Sequence, residues 1–115
     1  MAKYSFQKIV EITRKEIKAF KKVEQKPWGI ETIMIELSKQ IGDLAKHVMM
    51  LEKYYLKERE NKPEYKTTKE DIADELADIF FCLVRLADSY KIDLEKALLD
   101  ARREGLKARG IKLDF

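Results

Sequence analysis

Acidic and amide side chains recur at helical spacing in two places along the chain. In the run from Thr68 to Tyr90, TKEDIADELADIFFCLVRLADSY, the residues Asp71, Glu75 and Asp78 are spaced i, i+4, i+7 and form one stripe. Glu75 and Asp78 stand three apart, so both can point at one cation. In an earlier run Glu36, Gln40, Asp43, His47 and Tyr54 fall within roughly 60° of one another on a helical wheel. Oxygen ligands of this kind suit a hard divalent ion, and Mg²⁺ in particular keeps several waters while bridging carboxylates to phosphates. Asp43, Glu75 and Asp78 are therefore candidate ligands of Mg²⁺, with Mn²⁺ as an alternative. The same acids also read as a solvated border beside a helical core face. A transition-metal site would rest on the single His47 and the single Cys82, without further ligands at the usual spacing.

Two long helices must carry these stripes. Ile72, Leu76, Ile79, Leu83 and Leu86 alternate steps of four and three, which predicts a helix whose apolar face is centred near Leu76 and Leu83. On that wheel Glu75 sits close to the apolar edge, and Cys82 continues its flank without charge. Ile33, Leu37, Ile41, Leu44, Val48, Leu51 and Tyr55 keep the same spacing and predict another helix from Trp28 to about Glu60. Gly42 lies inside it, where glycine either lets a backbone or ligand approach or is merely tolerated, at about 1 kcal/mol relative to alanine. A short connection favours antiparallel packing of the two helices. Their polar borders can then face each other and form a pocket beside the core.

The remaining elements are set by breakers and caps. Tyr4 to about Lys22 reads as a first helix with Phe6, Ile9, Val10, Ile12, Ile17 and Phe20 on its apolar side and Ser5 as N-cap. Pro27 pushes Lys26 out of helical backbone and marks a connection. Residues 61–67, NKPEYKT, read as a loop. The pair Thr68 and Asp71, or more strongly Thr67 and Glu70, forms a capping box that starts the helix ending near Tyr90. Asp93 caps a last helix from Leu94 to about Arg109, with Ala97, Leu98, Ala101 and Leu106 inward, and Gly110 stops it. The tail IKLDF is either loose or docked on a neighbour.

Composition narrows the class. The chain of 115 residues is 39% charged and 45% hydrophobic with only 4 Gly and 2 Pro, a mix that favours amphipathic helices. One all-α domain over residues 1–115 is expected. The 24 basic and 21 acidic residues give a net charge of +3, too balanced to imply a nucleic-acid polymer or a membrane as partner. No apolar stretch reaches the length of a membrane span, and the basic start MAKYSFQKIV has no apolar run of signal-peptide type. A single cysteine makes no internal disulfide, so a cytoplasmic setting is the simplest.

The run ADELADIFFCLVRLADSYKIDLEKAL resembles the second half of a MazG-type, all-α nucleotide pyrophosphohydrolase domain. That family carries E-E-x-x-E on one helix, E-x-x-D on the next long helix, then an apolar run and I-D-L-x-x-A-L. Glu75 and Asp78 match the E-x-x-D, and Ile92, Asp93 and Leu94 match the I-D-L. Upstream, LSKQIGDLA from Leu37 to Ala45 aligns with L-x-E-E-x-G-E-L-A, with Lys39, Gln40 and Asp43 at the three acidic positions. The resemblance covers roughly residues 28–99.

The resemblance implies a four-helix MazG-like bundle with two long antiparallel helices, completed by oligomerisation as a homodimer or homotetramer. It implies Mg²⁺-dependent hydrolysis of a nucleoside triphosphate between its α and β phosphates, giving a monophosphate and pyrophosphate. Asp43, Glu75 and Asp78 would hold the metal. Glu36, one turn before Gln40, would supply a further ligand or orient the water, and Gln40 would complete the shell as a neutral group. Lys39, Lys46 and Arg85 are candidates for phosphate contact or for solvated surface. His47 is a hydrogen-bonded histidine or a proton-transfer group. Trp28, Tyr54, Tyr55, Phe80 and Phe81 stack on a base or belong to core and interface. The amide at Gln40 also fits a rival reading, a non-catalytic member that binds nucleotide or a protein partner. A purely structural helical oligomer with every acid solvated is the third.

Overall fold

The structure is a computed structural model and describes residues 3–115; Met1 and Ala2, at the start of the basic N-terminal stretch, lie outside the described residues. Among the described residues the regular structure is helical, without a strand. Its α-helices are α1 (Phe6–Lys21), α2 (Ile30–Leu51), α3 (Lys69–Ser89) and α4 (Leu94–Ala108), with two 3-10 turns between α2 and α3. None of these helices is long and apolar enough to cross a membrane. The chain divides into two compact units. Residues 24–83 hold α2 and most of α3; residues 1–23 with 84–115 hold α1, the end of α3 and α4.

Helix starts obey the cap chemistry. The Ser5 hydroxyl accepts the Lys8 N–H at 3.1 Å, and the Asp93 carboxylate accepts the Lys96 N–H at 3.0 Å. Thr68 and Asp71 form the reciprocal box: Oγ1 of Thr68 accepts the Asp71 N–H at 3.2 Å, and Asp71 accepts the Thr68 N–H at 3.0 Å. The pair formed is thus Thr68 with Asp71, not Thr67 with Glu70.

Helix ends are less obedient to composition. α2 stops at Leu51, well short of Glu60. Lys53 turns left-handed (φ 60°), the Tyr54 N–H bonds back to the Met49 carbonyl at 2.9 Å, and the Lys53 N–H to Met50 at 3.2 Å. These two bonds make a Schellman stop with lysine where glycine is usual. α3 ends the same way, with Lys91 left-handed and the Ile92 N–H on the Ala87 carbonyl at 2.9 Å. α4 ends on Gly110 with the Ile111 N–H on Leu106 at 3.0 Å, as glycine there predicts.

In the unit of residues 24–83 both long helices are rotated relative to the sequence wheel. Ile33, Met50 and Cys82 are buried, whereas Leu76 is 54% and Leu83 40% exposed. Ile41 and Val48 of α2 are exposed as well. The inward face of α3 runs through Ile72, Glu75, Ile79 and Cys82, and that of α2 through Glu36, Gln40, Asp43 and His47 beside Leu37 and Leu44. The acidic flank is therefore the inside, and the two leucines at the centre of the expected core face are outside. Periodicity reports that an apolar stripe exists but not which neighbour covers it, and here the stripe is not covered within the unit.

In the other unit the core is formed by Val10, Ile17, Val84 and Ala87. Ile9, Ile12 and Phe20 of α1 are exposed, as are Leu98, Ala97 and Ala101 of α4, contrary to the inward set expected from the sequence; Leu106 is half-buried. Arg14 and Asp88 join α1 to the end of α3 by two hydrogen bonds of 2.9 and 2.8 Å. The C-terminal tail folds back on α4: the Arg103 guanidinium lies 4.9 Å from the Phe115 ring centre and donates to the Phe115 carbonyl at 3.4 Å.

Candidate functional site

The rotation of α2 and α3 brings their polar stripes together inside the unit of residues 24–83. His47, late in α2, meets Glu75, early in α3, with Nε2 3.7 Å from Oε1. Glu36, early in α2, acts electrostatically on Asp78, further along α3. Within this unit the helices therefore run antiparallel, across residues 52–68 and their two 3-10 turns rather than across the short connection expected from the sequence.

Glu75 is the centre of the arrangement. Its side chain is only 16% exposed, and its Oε2 is buried with no hydrogen-bond donor. Loss of water pushes its carboxyl above the ordinary value, and the negative charges of Asp43 and then Asp78 push it further. Asp78 keeps an exposed edge, yet its carboxyl is also raised, first by desolvation and then by Asp74. His47 and Lys39 oppose the rise at Glu75, but loss of water and the two like charges outweigh them, and one oxygen of this half-buried acid has no donor.

α2 supplies a partial substitute. The Gln40 amide donates to Oε1 of Glu36 at 2.9 Å, so the amide fixes the carboxylate one turn before it. The Lys39 ammonium lies 3.3 Å from Asp43 and 3.9 Å from Glu36, and Asp43 in turn holds the Lys39 pKa above its ordinary value. Lys39 thus pairs with the acids of its own helix. Among the described residues, no three His, Cys, Asp or Glu side chains are grouped to hold a metal ion.

The other nominated residues lie elsewhere. Lys46 Nζ sits 5.7 Å from the centre of the Tyr65 ring, which Tyr55 meets edge-on at 5.1 Å and Arg59 approaches from 5.7 Å. Arg85 is buried, 5% exposed, and belongs to the other unit, so it does not present a solvent-facing cation. Tyr54 is exposed and Trp28 half-buried. In the unit of α1 and α4 a cleft of about 600 Å³ lies among Phe6, Val10, Arg14, Ile92, Leu94 and Glu95, and none of the nominated residues lines it.

One residue outside the sequence-derived set belongs to the site. The Thr67 hydroxyl, just before the α3 cap, lies 2.7 Å from Nδ1 of His47. A second threonine beside a capping threonine is the available signal, and by sequence alone it reads as part of the cap.

The chain matches no family model, no curated protein and no solved structure.

Proposed function

We propose that the chain is a MazG-like, divalent-cation-dependent nucleoside triphosphate pyrophosphohydrolase. The observation that carries this reading is the buried Glu75 oxygen without a donor, flanked by the charges of Asp43 and Asp78. On this reading Asp43, Glu75 and Asp78 would hold a Mg²⁺ or Mn²⁺ ion only after their side chains move together, since among the described residues no three such groups are clustered for a metal, and Asp43 would exchange Lys39 for the ion. When bound, the ion neutralises phosphate oxygens and makes a coordinated water more acidic.

The chain's own residues account for the rest of the step. Glu36, held by the Gln40 amide, is the acceptor for a water proton. The water oxygen bonds to the α phosphorus while the bond from that phosphorus to the bridging oxygen breaks. A nucleoside monophosphate and pyrophosphate leave, and the proton resides on Glu36 until solvent takes it. Lys39, released from Asp43, is positioned to meet a phosphate oxygen near the same acids.

Oligomerisation belongs to the same proposal. Leu76 and Leu83 on α3, and Ile41 and Val48 on α2, are exposed pairs seven residues apart. A second copy burying them completes a helical bundle as a homodimer or homotetramer, and a reducing cytoplasm suits the single thiol.

A second reading is favoured by Lys39. With its ammonium on Asp43 and Glu36, the acids already have an internal counter-ion, which suits a nucleotide-binding or protein-interaction member without turnover. One assay separates the two: incubation with a panel of nucleoside triphosphates and Mg²⁺ or Mn²⁺, with pyrophosphate measured. The enzyme reading expects metal-dependent release that Glu75→Ala and Asp78→Ala abolish. Nucleotide binding without release from any triphosphate selects the non-catalytic reading.

A further inference from the structure

We infer that α2 has two alternative ends and that Tyr65 is the latch between them: the helix stops before Lys53 while the chain beyond it is folded onto the Tyr65 ring, and it runs on to Glu60 when that ring lets go.

Local preference and observed structure disagree over this stretch. Residues 51–60, LEKYYLKERE, contain no glycine, proline or β-branched residue, and leucine, glutamate, lysine and arginine are good helix formers. The stop written in the sequence comes later, at Asn61 and Pro63, because the residue before a proline is turned away from helical backbone. The observed stop instead holds Lys53 at φ 60°, which strains a residue with a Cβ where glycine would be at ease. Beyond it the turns are tied by i, i+3 bonds of poorer geometry: the Arg59 N–H to the Leu56 carbonyl at 2.8 Å, Lys62 to Arg59 at 3.0 Å and Tyr65 to Lys62 at 2.9 Å. Tertiary contacts must offset the helix that is not formed.

Those contacts meet on one ring. Tyr55 stands edge-on to Tyr65 with 5.1 Å between ring centres, and Lys46 Nζ and Arg59 Cζ each lie 5.7 Å from the Tyr65 centre. A continuous helix cannot keep them. Lys46 and Arg59 would then stand about 20 Å apart along the axis and on roughly opposite sides of it. The two forms therefore exclude each other, and the ring stabilises only the shorter helix.

Chain length permits the longer one. His47 beside Glu75 sets the level of the antiparallel helices and brings Lys69 level with Lys53. Glu60 of a continuous helix would stand about 10 Å beyond that level. Residues 61–68 reach about 26 Å when extended, enough to return over that distance and across the roughly 10 Å between packed helices. The latch lies two residues before Thr67, whose hydroxyl is 2.7 Å from Nδ1 of His47, so the form adopted decides what stands beside the end of α2.

¹³Cα chemical shifts and amide hydrogen exchange of residues 53–60, measured on the full chain without ligand, distinguish the forms. Tyr65→Ala removes the ring. Lys53→Val acts on the stop itself, because a β-branched residue tolerates a helix far better than a positive φ. Each variant is expected to bring helical shifts to residues 53–60 and to slow exchange of the amides of residues 55–60 about tenfold. Tyr65→Phe keeps the ring and is expected to match the wild type, and Lys53→Gly added to Tyr65→Ala to restore the early stop. Lys53→Val leaves the ring in place, so the test stands if Tyr65→Ala does not fold. Residues 53–60 that stay non-helical in either folded variant, or a wild type already helical through Glu60, overturn the inference.

Discussion

Glu75 and Leu76 are neighbours in sequence, about 100° apart around α3, yet the acid's side chain is 16% exposed and the leucine 54%. A helix that served only its own stability would have the reverse. Burying a carboxylate without a full set of partners costs stability. Glu75→Gln is expected to raise thermal stability by about 1 kcal/mol at neutral pH, since a neutral amide removes the repulsion with Asp43 and Asp78. The same substitution is expected to abolish Mn²⁺ binding. Melting curves and titration of one protein sample check both, and a Glu75→Gln chain that is less stable contradicts the stored repulsion.

On the proposed reading Lys39 and a divalent cation would compete for Asp43. Lys39→Gln removes the competitor and is expected to tighten Mn²⁺ binding roughly threefold, a modest figure because the lysine is well exposed and its ion pairs are weak in water. If Lys39 also meets phosphate, the variant binds nucleoside triphosphate more weakly while binding metal more tightly. Calorimetry with each ligand separates these effects.

The outward leucines make a prediction about mass. Leu76→Glu and Leu83→Glu place a charge on the face assigned to a second copy. Burying one leucine is worth about 1.5–3 kcal/mol, so each variant is expected to weaken self-association roughly a hundredfold or more. Sedimentation over a concentration series gives the answer. A wild type that is monomeric at all concentrations removes the bundle-completing partner from the proposal.

Gly42 tests how closely anything approaches α2. A methyl group there meets nothing within 4 Å in the single chain. Gly42→Ala is therefore expected to stabilise the monomeric unit by about 1 kcal/mol through helix propensity. A loss of stability confined to the oligomer would place a second copy's backbone against this position.

The pH dependence has opposite signs at two acids. Asp71 has its carboxyl lowered, chiefly by the Thr68 backbone N–H, so its stabilisation is present above the ordinary carboxylate value and is lost as pH falls through its own lower value. Glu75 has its carboxyl raised, so the native state holds that proton to higher pH than the unfolded chain does. The stability this gives is present below about pH 4.5 and is lost as pH rises through the raised value. Metal-free melting curves across acid to neutral pH should show both slopes. Glu75→Gln should reduce only the upper one, leaving the share of Asp78, whose carboxyl is also raised.

Much of the fold was legible in the residues, and the failures have identifiable causes. Ser5, Asp93 and Gly110 act as their side chains dictate, because capping depends on local bonds. The end of α2 was not legible, because Lys53 takes a backbone conformation that composition assigns to glycine. The rotation of α2 and α3 was not legible either. A helical wheel orders side chains around an axis but does not say which side meets the rest of the chain. Glu36, Gln40, Asp43, His47 and Glu75 could be grouped by spacing, whereas Thr67 could not, since its partner lies on another helix.

Cys82 lies two turns along α3 from Glu75, on the same inward side, and is 3% exposed. It is also the only thiol in the chain. A thiol reagent can therefore modify the folded protein only when α3 lifts from its surroundings, and each modification event records one such opening. The chain carries a built-in clock for the motion that would uncover its acids. Its rate, read with and without Mn²⁺, would report how firmly a cation closes the two helices over the site.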